Sequence, residues 1–268
     1  MTSNKPVLVR SEKHGNVLRI LLQAPPANCY SYEMMSQLDA IVLQARFDPE
    51  VEVIVLTGSG DKFFCAGADI GMLKEADPVF KYQFCLHANE TLLRLEHTSK
   101  IVIGAINGHC VGGGLEVAMA CDLRYAMSGS YKLGLPEMKL GVLPGTGGTA
   151  RLTRLLGKAE AMELMFHSAM LTPQEALAKG LLQRVVSAKS VEDFQNKIME
   201  IAQGLTSPAQ ASLAGGLIKR SVQSGADLGL EQHLALEREL QQRLFTSHDA
   251  KEGIRSYLEK RSPEFKGC

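Results

Sequence analysis

The sequence predicts an α/β fold with a helical C-terminal region. Three observations carry that prediction. Short β-branched apolar runs closed by glycine or turn residues recur through the first half of the 268 residues. Stretches with apolar residues at helical spacing alternate with them. From Gly148 onward helical spacing dominates, so strands and helices alternate first and helices take over later.

In chain order, Val17 to Leu22 (VLRILL) reads as a strand, and Gln23 to Asn28 (QAPPAN) breaks it with two prolines. Tyr32 to Phe47 places Met34, Leu38, Ile41, Val42 and Ala45 on one helical face. Val53 to Thr57 is a strand bounded by Gly58 and Gly60, and Ile101 to Ile106 is another, closed by the Asn107-Gly108 turn signal. Leu123 to Ala126 is a third candidate for a buried strand. Helices are expected over Ala159–Phe166, Pro173–Ala178, Val191–Leu205, Pro208–Val222 and Leu228–Phe245. Pro173 and Pro208 fit first-turn helix positions behind Thr172 and Ser207 as caps.

Bulk properties exclude several functions. Hydrophobic residues make up 45% and charged residues 22%, an ordinary globular composition. Lys+Arg and Asp+Glu number 29 each, so the basic excess of a nucleic-acid binder is absent. No apolar run approaches the ~18 residues of a membrane span. The first 17 residues, which carry Glu12, lack the apolar stretch of a signal peptide, and a soluble, cytoplasmic protein is expected. The six cysteines form no C-x-x-C pair and are expected to be reduced and buried. The seven histidines are scattered, without H-E-x-x-H or a Cys/His cluster, which argues against a metal site. No serine lies in G-x-S-x-G, and no glycine run fits G-x-G-x-x-G or a P-loop.

Two strand ends lead into glycine-rich loops. VIVLTGSGDKFFCAGADI spans Val53–Ile70, and IVIGAINGHCVGGGLEVAMA spans Ile101–Ala120. With side chains nearly absent, backbone N–H groups are open to a ligand, and two converging on one oxygen make an oxyanion hole. The alternative is that the glycines serve tight packing and Asp69 caps a helix. Glu116 is the one carboxylate in a helix otherwise apolar all round, Val117 to Cys121 following it. Burial there raises a carboxyl pKa toward values useful in acid–base work, unless the residue is a solvated, dipole-favoured glutamate. Glu137 stands in a turn between apolar segments, either facing a substrate or paired on the surface with Lys139.

Together these segments resemble the crotonase, or enoyl-CoA hydratase/isomerase, superfamily. The resemblance rests on FFCAGADI (Phe63–Ile70), AINGHCVGGGLEVAMACDLRYA (Ala105–Ala126), LGLPEMKLGVLPGTGGTARLTRLLG (Leu133–Gly157) and AKEGIRSYLEKRSPEF (Ala250–Phe265). It implies a spiral of ββα units carrying the active site over residues 1–205, and a helical region over 206–268 that builds a trimer, which commonly pairs into a hexamer. It further implies that the N–H groups of Ala68 and Gly113 hold a thioester oxygen, and that Glu116 and Glu137 are the catalytic pair of a hydratase acting on an enoyl-CoA. Ala66 falls at a position that contacts adenine, and Tyr257 and Lys260 at positions near the coenzyme A of a neighbouring subunit. No metal or redox cofactor is implied, coenzyme A being part of the substrate. Isomerisation, hydration of a specialised acyl-CoA, and a non-catalytic binding or scaffold protein are the alternatives the resemblance leaves open.

Three departures stand out. Cys29-Tyr30 replaces the commoner Ala-Leu after Asn28, placing bulkier, more polar groups near the acyl or pantetheine region. The segment between Glu116 and Glu137 is one residue longer than is typical, around Met127 to Tyr131. Met72 to Cys85, which shapes the acyl pocket in the family, carries no readable signature.

Overall fold

The computed structural model describes residues 6–268; the first five residues of the N-terminal stretch read above lie outside the described residues. A six-stranded sheet is ordered β1 (Val9–His14), β2 (Val17–Leu22), β3 (Val53–Gly58), β5 (Ile101–Ile106), β7 (Leu123–Met127) and β9 (Arg184–Val186). β1 pairs antiparallel with β2, and every other neighbour is parallel. A small parallel sheet is ordered β4 (Phe63–Cys65), β6 (His109–Val111) and β8 (Leu133–Gly134). Each of β3, β5 and β7 is followed by one strand of the small sheet and then by helix. The chain therefore climbs as a spiral of ββα turns.

The central parallel strands β3, β5 and β7 are buried on both faces. On one face Ile54, Leu56 and Val102 pack with Leu38 and Val42 of α1 (Tyr32–Phe47) and Leu92 and Leu95 of α3 (Pro78–His97). On the other, Val53, Val55, Ile103 and Ala105 pack with Phe194, Ile198 and Ala202 of α8 (Val191–Gln203). Period-2 alternation along β3 sends successive side chains to these two cores.

Two buried asparagines pin successive turns together at their corners. Asn28, with φ 51°, donates to Ser59 O and Phe63 O, both at 2.9 Å. Asn107 donates to Gly58 O at 3.0 Å and Gly60 O at 2.9 Å, and accepts from Gly58 N at 3.1 Å. The turn signal at Asn107-Gly108 is thus a tertiary clamp.

Beyond the spiral lie α5 (Gly148–Leu156), α6 (Lys158–Phe166), α7 (Pro173–Ala178), and then α9 (Ser212–Gly225), α10 (Leu230–Phe245) and α11 (His248–Glu259). Thr172 caps α7 in a reciprocal box with Glu175, behind Pro173, as read from sequence. The expectation for Pro208 is corrected: the helix begins at Ser212, not Pro208. Ser207 N donates to Glu52 Oε2 at 2.7 Å and Pro208 O accepts from Phe265 N at 3.4 Å. The first-turn carbonyl is committed to the C-terminal tail, so no helix starts there. Helix α8 ends at Gln203, and Leu205 lies beyond it.

The cysteine expectation is corrected in part. All six are free thiols, but only Cys65, Cys110 and Cys121 are buried, with Cys29 and Cys85 half-buried and Cys268 exposed.

Candidate active site

The pairing of β4 with β6 brings the two glycine loops side by side. Tyr30 forms a parallel bridge with Ala68: Tyr30 N donates to Gly67 O at 2.9 Å, and Asp69 N donates to Tyr30 O at 3.0 Å. That arrangement uses the groups on either side of Ala68 and turns its own N–H the other way. Gly112 holds φ 56° and ψ −132°, a conformation that suits glycine alone, and swings the chain into α4 (Gly113–Met119). Gly112 N is used by Gly134 O at 2.8 Å. Among the described residues, neither Ala68 N–H nor Gly113 N–H has an acceptor within the chain, and both residues line one cleft. Asp69 is the cap of α2 (Ile70–Glu75), donor Met72 N at 2.7 Å, as one of the two sequence readings had it.

Glu116 sits in the first turn of α4 and is 2% exposed. Its Oε1 accepts from Thr146 N at 2.8 Å and Gly148 N at 2.7 Å, and its Oε2 accepts from the Thr146 hydroxyl. Burial of this carboxylate is met by three donors, two of them main-chain, presented by the loop ahead of α5.

Glu137 opens a 3₁₀ turn, Glu137–Leu140, and faces the same cleft; Lys139 beside it points to solvent. A Cβ on Gly112 would lie 2.9 Å from Glu137 Oε1, which places the carboxyl against the glycine loop. Its Oε2 is buried without a hydrogen-bond partner. Burial, and secondarily the charge of Glu116, pushes the Glu137 carboxyl up to about 7, against an opposing pull from Lys81. Glu137 is therefore poised to carry a proton near neutrality.

The cleft, of about 590 Å³ and partly open to solvent, is lined by Ala66, Ala68, Gly113, Glu116 and Glu137 together. Its mouth is apolar, with Leu73, Leu140 and Leu143. Tyr257 and Lys260, at the end of α11, do not line the cleft of their own chain; Tyr257 is 84% exposed. Three cleft residues escaped the sequence reading of the site: Thr146, Lys81 and, as a contact of Thr146 and Gly113, Tyr30. Lys81 comes from the stretch without a signature. Among the described residues there is no group of three or more His, Cys, Asp or Glu placed to hold a metal ion. No helix among them is long and apolar enough to cross a membrane.

Comparison with known proteins finds relatives along nearly the whole chain. The family model for enoyl-CoA hydratase/isomerase matches residues 12–268. The chain is 36% identical over 254 residues to the short-chain-enoyl-CoA hydratase of Clostridium acetobutylicum, covering 94% of this chain and 95% of that one. It is 34% identical over 255 residues to the crotonyl-CoA hydratase of Syntrophomonas wolfei, covering 95% and 96%. The crystal structure of an enoyl-CoA hydratase from Geobacillus kaustophilus superposes with a TM-score of 0.94 at 41% identity, covering 99% of this chain and 98% of that one.

Proposed function

The chain belongs to the enoyl-CoA hydratase/isomerase family, and from that premise we propose that it reversibly hydrates a trans-2-enoyl-CoA to the 3-hydroxyacyl-CoA. One observation carries the reading: two carboxylates from separate turns of the spiral face one cleft beside two main-chain N–H groups without acceptors.

The chemistry needs each of these groups. A C=C bond conjugated to a thioester is electrophilic at the β-carbon, and attack there moves charge onto the thioester oxygen. Ala68 and Gly113 N–H stabilise that charge; one such donor is typically worth about 3 kcal/mol of barrier. Glu116, held by Thr146 and Gly148, orients the water and takes its proton. Glu137, with its carboxyl near 7, delivers a proton to the α-carbon. The dehydration direction reverses both transfers.

The reading extends to coenzyme A and to assembly. Ala66 in the cleft wall contacts the adenine end, and coenzyme A enters as substrate, with no metal or redox cofactor required. Tyr257 and Lys260 reach the coenzyme A of a neighbouring subunit. Residues 206–268 form the trimerising region, with hexamers built from trimers. The apolar side chains exposed on α10 and α11 support this, Leu230 at 75% and Leu258 at 75%. A cytoplasmic role in acyl-CoA metabolism completes the reading.

The test is to mix the protein with crotonyl-CoA and longer trans-2-enoyl-CoAs, follow loss of the conjugated thioester absorbance, and weigh the product. A gain of one water supports hydration. Rearrangement without mass change assigns the site to double-bond isomerisation, and coenzyme A binding with no turnover of any enoyl thioester assigns it to a non-catalytic role.

A further inference from the structure

Tyr30 is one of the departures noted in the sequence, and the hydratase reading gives it no task. It is 3% exposed, yet it lines the cleft. Its hydroxyl lies 3.0 Å from Thr146 Oγ1, 116 positions away in sequence. The direction of that bond is fixed by chemistry. The single Thr146 hydroxyl proton goes to Glu116 Oε2, since a carboxylate only accepts. Thr146 Oγ1 therefore accepts from Tyr30. Burial, aided by the Glu116 charge, raises the phenol well above its ordinary range and keeps the proton on it.

The same residue touches both thioester-oxygen donors. Its backbone makes the bridge that turns Ala68 N–H outward. Its hydroxyl packs against Gly113 so closely that a Cβ there would overlap it. The ring is braced by Phe84 of α3, with centroids 5.8 Å apart. One residue thus joins the Ala68 bridge through its backbone, and the Gly113 helix start and the loop that holds Glu116 through its rigid, two-torsion side chain.

We propose that Tyr30 and Thr146 form a hydroxyl relay that sets the orientation of the Glu116 carboxylate relative to the Ala68 and Gly113 donors, making both positioning residues for water addition. This rests on the hydratase reading of the site. Two N–H donors grip Oε1, and the relay fixes Oε2. Without the relay the carboxylate keeps its charge and its place but gains rotational freedom about its terminal torsion, where the intrinsic barrier is broad. The water is then held over a wider range of positions, and turnover falls while thioester binding stays.

The experiment compares Tyr30→Phe, Thr146→Val and Thr146→Ser. Each variant is measured for kcat and KM with crotonyl-CoA and for the Kd of butyryl-CoA. The saturated thioester engages the oxygen donors but undergoes no hydration. Tyr30→Phe keeps the ring and its packing, so folding is preserved. The expected result is a fall in kcat of roughly twofold to tenfold for Tyr30→Phe, which loses a bond between neutral hydroxyls, and of roughly tenfold to a hundredfold for Thr146→Val, which loses a bond to a carboxylate. The double variant is then no worse than the poorer single, Thr146→Ser retains most activity, and Kd for butyryl-CoA stays within about twofold. Wild-type kcat in both single variants overturns the relay. A butyryl-CoA affinity that falls in step with kcat also overturns it, since Tyr30 then acts through packing alone. If the wild-type protein binds butyryl-CoA but hydrates no enoyl-CoA, the functional reading fails separately. The relay is then judged by proton NMR: a downfield hydroxyl resonance that Thr146→Val abolishes and Tyr30→Phe shifts supports it, and the lack of that resonance in the wild type overturns it.

Discussion

Asn107 holds Gly58 by both edges of its side-chain amide, accepting from the Gly58 N–H at 3.1 Å and donating to the Gly58 carbonyl at 3.0 Å. The bond to Gly60 O at 2.9 Å closes the corner where β3 leaves for β4. Replacing Asn107 with Ala strands the Gly58 N–H and carbonyl in a buried corner, each costing on the order of 1–3 kcal/mol if unmet, while the carbonyl of the exposed Gly60 turns to water. Partial rescue by water brings the expected loss to about 3 kcal/mol. Urea unfolding of Asn107→Ala measures it, and a loss below about 0.5 kcal/mol contradicts the clamp, being the scatter of ordinary surface changes.

The raised Glu137 carboxyl gives activity a pH signature. The proposed hydration needs this group protonated, so on that reading the hydration rate declines as pH rises through about 7. Glu137→Gln abolishes most turnover and removes that limb from the remainder. Stability carries the matching sign. The native carboxyl binds its proton more tightly than the unfolded one at 4.5, so its favourable contribution is full below pH 4.5 and is lost as pH rises through about 7. Glu137→Gln is therefore expected to be more stable than wild type at pH 8 and level with it at pH 4. Thermal melts at the two pH values decide this.

Lys219 of α9 lies 2.9 Å from Asp122, which follows α4, and also donates to Leu95 O at 3.1 Å and Lys100 O at 3.0 Å. Burial pulls the ammonium down and pushes the carboxyl up, while each charge opposes the shift of the other. This pair docks α9 on the spiral. Lys219→Met leaves a largely buried carboxylate without its cation and costs about 3 kcal/mol at pH 8. The deficit should be smaller at pH 4, because loss of the cation raises the folded carboxyl further and the penalty attaches only to its ionised form. Paired urea titrations at the two pH values check both size and trend.

Thiol reactivity should sort by environment. Burial pushes Cys65 and Cys121 up to about 12 and raises Cys110 strongly. Iodoacetamide at pH 8 is expected to modify Cys268 first and to spare these three in the native protein. Peptide mass spectrometry after a timed quench shows the order, and early labelling of Cys110 contradicts the packing of β6.

The fold was legible where physics is local. β3 and β5 announce themselves as β-branched runs with glycine or turn punctuation, and α1 by its Met34–Leu38–Val42 stripe. The small sheet was silent because β4, β6 and β8 have three, three and two residues, and they pair only after the spiral stacks them. The polar edge strand β1, VRSEKH, offered no apolar run to read. Pro208 misled because a capping pattern is local while its carbonyl partner, Phe265, is not.

The site divides in the same way. Glu116 was visible because a carboxylate in an apolar helix needs donors. Glu137 was not decidable from its neighbours, since its burial comes from packing against the Gly112 loop. Tyr30 stood out only as a departure near the acyl region and Thr146 not at all: a bond spanning 116 positions leaves no trace in composition or period. Lys81 was hidden on a helix face that only the tertiary fold turns toward the cleft.

The two N–H groups in the cleft are main-chain atoms, set by the bridge at Ala68 and the dihedrals of Gly112, whereas the two carboxyls are side chains, Glu116 on the helix that Gly113 opens and Glu137 on the 3₁₀ turn of the next unit. On the proposed reading, the part that steadies an enolate and the part that decides what the enolate becomes are thus structurally separable. Exchanging Glu116, Glu137 or Tyr30 alters protonation and geometry without rewriting the backbone that grips the thioester. A scaffold divided this way can trade one reaction for another by side-chain substitution alone, retaining its hold on the common intermediate throughout.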